Sequence, residues 1–143
     1  MRLRYLFLLV VLMILTACNK DSEQDWTGMQ YYEFEIFGKV TDNSCNPIKG
    51  ISVSASGSSV LTKSDGSYEL SGQGGTSTTV FVSFADVDVA DNGGLYGGAS
   101  RSVELDYVEG RHGPFLGLFR KTGVDVTLAL GLTPVPNPDT PVQ

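Results

Sequence analysis

The sequence predicts an all-β fold, an antiparallel seven-strand Greek-key β-sandwich. Seven short segments alternate apolar and polar residues, no segment has a clear 3.6-residue apolar period, and 17 of the 143 residues are glycines. Alternation with period two places one face of a strand against a core and the other in water. Many short strands separated by turn residues are typical of two packed sheets. We therefore expect one sandwich domain over residues 31–131.

The first predicted strand begins at Tyr31, with alternate apolar residues from Tyr32 to Val40 on one face. Residues 42–50 carry Asp, Asn, Pro and Gly, which are typical of a loop. The Asp65-Gly66 pair is typical of a tight turn between two strands. Six further strands are predicted at residues 51–55, 60–62, 67–70, 78–84, 102–108 and 124–130.

The first seventeen residues are typical of a secretory signal peptide. Arg2 and Arg4 precede a charge-free apolar run over residues 6–15, which is too short to cross a bilayer. The ending Leu15-Thr16-Ala17-Cys18 resembles the bacterial lipoprotein box, in which the cysteine thiol takes a diacylglycerol. That resemblance implies lipid attachment at Cys18 and a membrane anchor. An ordinary secreted protein cut near Ala17 is the alternative.

Residues 18–30 are predicted to be an acylated cysteine followed by a flexible tether, because they are polar and lack an apolar period. The stretch at residues 20–23, Lys-Asp-Ser-Glu, resembles the acidic export tags of Bacteroidetes lipoproteins. This implies an outer-membrane lipoprotein exposed on the cell surface. A merely solvated linker and a periplasm-facing protein are the alternatives. Residues 132–143 hold four of the six prolines and are predicted to be a disordered tail.

The charge balance excludes one class of partner. Removal of residues 1–17 leaves eight basic and all sixteen acidic residues, a net charge of −8. Such a chain would repel the phosphates of nucleic acid. It would also repel anionic lipid, so membrane attachment should depend on the acyl chains. With Cys18 taken by lipid, Cys45 has no disulfide partner and is interpreted as a turn residue.

Three short motifs resemble a carboxypeptidase regulatory-like domain. They lie at residues 38–42 (Gly-Lys-Val-Thr-Asp), 46–53 (Asn-Pro-Ile-Lys-Gly-Ile-Ser-Val) and 64–68 (Ser-Asp-Gly-Ser-Tyr). The resemblance covers roughly residues 36–70 and implies a sandwich of the transthyretin or immunoglobulin type. None of the motif residues is catalytic in that family, so the resemblance implies a fold and no reaction.

Residues 86–94 (Asp-Val-Asp-Val-Ala-Asp-Asn-Gly-Gly), together with the lipoprotein box, resemble a small Bacteroidetes group, the radical SAM-associated putative lipoproteins. The group is named after neighbouring genes. This resemblance implies a radical SAM enzyme as partner, acting on the chain or on something that it holds. A glycine usually follows the second aspartate in the group, whereas this chain has Val89.

The same acidic loop is the candidate metal site. Asp86, Asp88, Asp91 and Asn92 supply oxygen atoms, and calcium takes six to eight oxygen ligands. The spacing is not that of an EF-hand, since Gly97 stands where that loop needs its final glutamate. We expect calcium here as a hypothesis, with a solvated loop as the alternative. No other cofactor is expected.

Catalysis is not expected. His112, the only histidine, lies between Gly and Pro residues, and no nucleophile motif accompanies it. We interpret His112 as an exposed loop residue. Two carboxylates can still act as general acid and base, so a small hydrolase using Asp86 or Asp88 is the remote alternative.

An apolar segment before the last strand offers a further candidate site, either as a patch for a partner or as a cover for an open end of the sandwich. The same alternatives apply to three aromatic residues near the tether. The segment contains Phe115, Leu116, Leu118 and Phe119, and the aromatic residues are Trp26, Tyr31 and Tyr32. Overall, the sequence predicts a non-catalytic, lipid-anchored binding or display protein. The alternative is a surface carbohydrate- or protein-binding module that uses loops 86–98 and 109–121.

Overall fold

The computed structural model describes residues 28–88 and 91–131. This part of the chain contains no helix, and its strands form two sheets, which confirms the all-β sandwich. The nine strands of the described residues are β1 (Tyr31–Thr41), β2 (Ile51–Ala55), β3 (Ser58–Leu61), β4 (Ser67–Gly74), β5 (Thr79–Asp86), β6 (Ala99–Glu104), β7 (Asp106–Glu109), β8 (Phe115–Lys121) and β9 (Val126–Thr127). No helix long and apolar enough to span a membrane occurs among these residues.

Strand β1 organises the first sheet, whose order is β4-β1-β8-β7 with β9 also paired to β1. The second sheet has the order β3-β2-β5-β6. All pairs in the second sheet are antiparallel, whereas β1 runs parallel to both β8 and β9. The first sheet therefore contains both parallel and antiparallel pairs, whereas the sequence predicted an antiparallel sandwich. The Greek-key connection pattern stays a prediction.

The core lies between the two sheets and follows the period-two pattern of the sequence. From β1, Phe34, Ile36 and Val40 are at most 1% exposed, and Val82 and Phe84 from β5 face them. Full burial of each such side chain stabilises the fold by about 1.5–3 kcal/mol. The alternation of apolar and polar residues in β1 therefore determines both that this segment forms a strand and which of its faces is buried.

Tyr68 and Gly38 both contact the backbone at Val124, in the segment that leads into β9. The Tyr68 hydroxyl donates a hydrogen bond to the Val124 carbonyl at 2.7 Å. A Cβ on Gly38 would lie 2.1 Å from the same carbonyl oxygen, so only glycine allows this approach. Burial, together with the charge of Asp125, raises the pKa of Tyr68 well above its ordinary value, so the hydroxyl keeps its proton.

The expected count of seven strands is wrong, in part because one predicted strand is two. The predicted strand at residues 102–108 is split between β6 in the second sheet and β7 in the first, with Leu105 between them. Leu105 is 4% exposed, and its N–H donates to the Thr78 carbonyl at 3.0 Å. The chain therefore bends at a buried residue and changes sheet, as strands do at sandwich corners.

Strand β8 is the second difference, because the sequence predicted no strand in the apolar segment that it occupies. Gly117 has a φ of +115° and lies where the register of β8 against β1 shifts, between the pairs Tyr31–Phe115 and Glu33–Leu118. A Cβ at this position would lie 2.6 Å from the Tyr107 ring and 2.7 Å from the Glu109 carbonyl oxygen. Gly117 forms a bulge that lets the strand continue, since only glycine fits there.

Four predicted strands have different bounds, two of which differ only at their ends: β4 continues from 70 to Gly74, and β5 covers Thr79–Asp86 instead of 78–84. The predicted strand at 60–62 is β3, which begins at Ser58 after a two-residue turn with positive φ at Ser56 and Gly57. The predicted strand at 124–130 keeps only Val126–Thr127, because the pairing with β1 is limited to two positions. Val124, Val126 and Leu128 are buried as the alternation predicts, whereas Leu130, the last member of that alternation, is 56% exposed.

The sandwich has two ends that matter for function. At the leading end, β1 begins at Tyr31 beside Phe115, close to the loop over residues 110–114. At the far end lie the loops over 42–50 and 86–98, since Asp86 pairs with Ile51 there. The eleven residues of β1 separate the ends by about 35 Å. The predicted signal peptide, most of the tether and the proline-rich tail lie outside the described residues.

Candidate functional site

The acidic loop lies at the far end, and Asp86 at the end of β5 holds it together. The Asp86 carboxylate accepts a hydrogen bond from the Tyr96 N–H at 2.8 Å. Its other oxygen accepts from the Asn92 side-chain amide at 3.2 Å and from the Asp88 N–H at 3.3 Å. Asp86 thus joins the start of the loop to its end.

Asp88 sits over a glycine of the neighbouring loop. A Cβ on Gly50, whose φ is +80°, would lie 2.3 Å from Asp88 Oδ2. Asp88 Oδ1 and Asn92 Oδ1 are buried without a hydrogen-bond partner among the described residues. Desolvation, a hydrogen bond to Asp86 and the charges of Asp86 and Asp91 raise the pKa of Asp88. The folded loop therefore disfavours the ionised form of this carboxyl.

These contacts bear on the calcium hypothesis without deciding it. The structure brings Asp86, Asp88 and Asn92 together, whereas Asp91 is exposed and acts on Asp88 as a nearby charge. Three N–H donors already occupy Asp86, at 2.8, 3.2 and 3.3 Å. Within residues 28–88 and 91–131, no group of three or more His, Cys, Asp or Glu side chains could hold a metal ion. Calcium binding by these four residues stays a prediction.

His112 and Cys45 lie at opposite ends of the sandwich. His112 is exposed, its Nδ1 lies 2.9 Å from the Gly110 carbonyl, and its ring stands edge-on to Phe115 with centroids 5.3 Å apart. Cys45 is exposed in the far-end loop with a φ of +64°. A cysteine nucleophile and its histidine base must be within hydrogen-bond reach. These two residues therefore do not form a catalytic pair.

An aromatic series runs from the core to the surface near the leading end. The ring of buried Tyr32 packs on Phe119 with centroids 5.2 Å apart, and Phe119 packs on Tyr107 at 5.5 Å. Tyr107 lies on β7 at the edge of the first sheet and is 54% exposed. The series therefore carries aromatic surface from the interior to an accessible edge.

The outer part of that series lines a groove of about 490 Å³, formed by Tyr107, Arg111, Leu116 and Phe119. This groove, called the Tyr107 groove below, is apolar apart from the Arg111 guanidinium and the Tyr107 hydroxyl. Leu116 and Phe119 come from the segment that the sequence singled out. Its other two members lie elsewhere: Phe115 packs against Tyr31, with centroids 5.4 Å apart, and Leu118 is paired with Glu33.

Sequence reasoning missed Tyr107 and covered Arg111 only as part of the candidate loop 109–121. Tyr107 continues the alternation of Val103 and Leu105, so it was assigned to a buried strand face. The change of sheet at Leu105 carries Tyr107 to an edge instead. No local signal in the sequence marks that bend, since it depends on the packing of the two sheets.

A second groove lies beside Phe81, which sequence reasoning also missed. Phe81 is 74% exposed on β5, and the groove of about 410 Å³ continues from its ring to the turn at residues 74–77. The alternation of Val80, Val82 and Phe84 placed Phe81 on the outer face of the strand. An aromatic ring at such a position was the available signal.

Comparison with known proteins adds no further constraint on these sites. No model of a known protein family matches the chain, and no curated protein matches it at a significant level. The function is therefore argued from the geometry and from the sequence resemblances given above.

Proposed function

We propose that the chain is a lipid-anchored lipoprotein of the cell envelope whose β-sandwich binds or displays and does not catalyse. Cys18 carries the lipid, and the sandwich begins at Tyr31 after twelve intervening residues. The leading end is then the one nearer the membrane along the chain. The far end, with the acidic loop, is the one held away from it.

The observation that carries the binding role is the Tyr107 groove. Ligand sites are concave and mostly apolar, with a few polar groups that fix orientation. Here two aromatic rings and a leucine supply the apolar walls, and Arg111 supplies one charged group. Tyr107 stays 54% exposed at a sheet edge, where a partner can reach it.

A non-catalytic role is supported by the placement of the reactive side chains. His112 and Cys45 lie at opposite ends, so they cannot act together. Asp86 accepts hydrogen bonds from the loop that it organises, which gives it a structural task. The hydrolase alternative would therefore have to depend on Asp88, since the loop's N–H groups already occupy Asp86.

The proposed partner is a radical SAM enzyme, which acts on this chain or on a ligand that it holds. This part of the proposal depends on the resemblance at residues 86–94, and the far-end position of the loop supports display. The proposed location is the outer face of the outer membrane, supported by the acidic residues after Cys18. A carbohydrate- or protein-binding module at the cell surface is the related alternative.

Membrane partition of two cysteine variants tests the anchor in the producing bacterium. We expect Cys18→Ser to move the protein from the membrane fraction to the soluble fraction. Cys45→Ser is the matched control, because Cys45 is exposed in a loop and takes no lipid. Retention of the Cys18→Ser protein in the membrane would contradict the proposal. Protease treatment of whole cells then separates a surface-exposed protein from a periplasm-facing one.

A further inference from the structure

We propose that the groove beside Phe81 is a binding site for a neutral saccharide. This inference deepens the binding role proposed above and rests on it. The groove lies near the leading end, where residues at the end of β4 in the first sheet and at the start of β5 in the second line it, and it shares no residue with the Tyr107 groove. Its central feature is the Phe81 ring, which is 74% exposed although a ring of this size is ordinarily covered.

The opposite wall of the groove is fixed to the core. The hydroxyl of buried Tyr32 donates a hydrogen bond to the Ser77 carbonyl at 2.7 Å, which holds the turn in place. A Cβ on Gly74 would lie 2.2 Å from the Tyr32 ring, so the backbone at this point packs directly on the aromatic ring. The groove is therefore built on a rigid base.

Four hydroxyl side chains line the groove, on Ser56, Thr76, Ser77 and Thr79. The Ser77 hydroxyl lies 3.4 Å from both the N–H and the carbonyl of Thr79, which is long for a hydrogen bond. It can therefore exchange these contacts for better ones with a ligand. Each hydroxyl can both donate and accept, which suits a ligand that is itself covered with hydroxyl groups.

Ser56 contributes its hydroxyl from an unusual backbone position. It has a φ of +49° in the turn between β2 and β3, where Asn or Gly is the common choice. The adjacent Gly57, with a φ of +83°, is the residue that such a turn prefers. A serine at position 56 therefore places a hydroxyl in the groove from a backbone conformation that is sterically unfavourable for a residue with a Cβ.

The charge of the groove selects the ligand class. None of the residues that line it is charged, although the chain as a whole has a net charge of −6. An aromatic face beside uncharged hydroxyl groups matches a pyranose ring, which has a face of C–H groups and a rim of hydroxyls. An anionic sugar or an ionic peptide finds no counter-charge here.

The sheet surface next to the groove suits a chain of sugars rather than one. Ser102 pairs with Phe81 across β5 and β6, and Ser83 pairs with Ser54 across β5 and β2. These outward positions are small hydroxyl residues around a single aromatic ring, and the exposed carboxylate of Glu104, which pairs with Thr79, is the charged group beside them. They leave a flat path along which further sugar units can lie.

Calorimetric titration of the full mature chain with neutral hexasaccharides tests the proposal. The probes are the hexamers of β-1,4-linked glucose, xylose, mannose and N-acetylglucosamine, with hexagalacturonate as the anionic counterpart. We expect saturable binding of at least one neutral hexamer and weaker or no binding of the anionic one. Phe81→Ala should weaken binding at least about tenfold, because it removes the stacking face. Phe81→Trp should retain it.

Leu61→Ala is the matched control, since Leu61 is 55% exposed on the same outer face, two strands away from Phe81. It should leave binding unchanged. The proposal is overturned if no neutral hexamer binds at millimolar concentration, if hexagalacturonate binds best, or if Leu61→Ala loses as much as Phe81→Ala. A dimer that Phe81→Ala dissociates, without sugar binding, would assign the groove to a second copy. The titration does not depend on acylation, so its failure leaves the anchor at Cys18 to its own test.

Discussion

The ring of Tyr107 stands edge-on to the ring of Phe119, with centroids 5.5 Å apart and an angle of 72° between the planes. Phe119 in turn packs on buried Tyr32. Tyr32 therefore belongs to the core, Phe119 is partly buried against it, and Tyr107 is accessible to solvent. Stability should depend mainly on the inner members and binding on the outer one.

Truncation of the two outer rings should separate these effects. Tyr107→Ala should lower the free energy of unfolding by about 0.5–1.5 kcal/mol, the value of one aromatic pair at an exposed edge. Phe119→Ala should cost more, about 2–4 kcal/mol, because this half-buried ring packs on the core. Urea unfolding of each variant measures both values, with Tyr107→Phe as a control that keeps the ring. Equal losses for the two alanine variants would contradict the series.

Gly117→Ala should be strongly destabilising. Its φ of +115° disfavours any side chain, and a Cβ would also lie 2.6 Å from the Tyr107 ring. We expect a loss above about 1 kcal/mol in urea unfolding. Gly57→Ala is the control, since Gly57 also has a positive φ, +83°, but nothing lies within 4 Å of its Cβ position. A loss at Gly117 no larger than at Gly57 would contradict the bulge.

Asp88 should make stability depend on pH in the direction opposite to that of an ordinary paired aspartate. Its pKa is raised in the folded protein, so the folded state holds this proton more tightly than the unfolded state. The contribution favours folding below an ordinary aspartate pKa of about 3.9 and is lost as pH rises through the higher, folded value. Asp88→Asn should therefore be more stable than the parent at pH 7. The difference should vanish at low pH.

Asp42 gives the contrasting case for the same measurement. Hydrogen bonds from the Asn46 side chain and the Asn46 and Ser44 N–H groups lower the pKa of Asp42. Asp42→Asn should therefore lose stability at pH 7, and the loss should disappear as pH falls through the lowered pKa. Thermal unfolding of Asp42→Asn and Asp88→Asn between pH 7 and low pH checks that the first substitution destabilises the protein at pH 7 and the second stabilises it. A stability change in the same direction for both variants would contradict the hydrogen bonds and burial described for these two carboxyls.

Calcium binding at the acidic loop makes a separate prediction. Millimolar calcium should release or absorb heat on titration and raise the melting temperature, since a ligand that binds only the folded state stabilises it. Asp88→Asn should remove both effects, whereas Asp65→Asn, in the turn before β4, should leave them intact. An absence of heat together with an unchanged melting temperature in the parent protein would show that the acidic loop does not bind calcium.

Local patterns predicted the strands whose burial follows directly from their own sequence. Strand β1 is the clearest example, since Phe34, Ile36 and Val40 alternate with polar residues and are all buried. Strand β8 could not be predicted in this way. Gly117 reads locally as an interruption, and its role as a bulge depends on the ring of Tyr107 from another strand.

The same distinction applies to the sites. The loop spacing predicted one cluster of Asp86, Asp88, Asp91 and Asn92, and the structure places three of them together while Asp91 is exposed. The exposure of Phe81 and Tyr107 depends on which sheet faces are covered and where the chain changes sheet. That information is not contained in any short window of sequence.

The intact mass of the mature protein, purified from the bacterium that makes it, tests the central proposal most directly. The account predicts a chain that begins at Cys18 and carries the added mass of a diacylglycerol. A further mass difference on residues beyond Cys18 would identify the chain as a substrate of the proposed radical SAM enzyme. A chain that begins at another residue and carries no lipid would contradict the account.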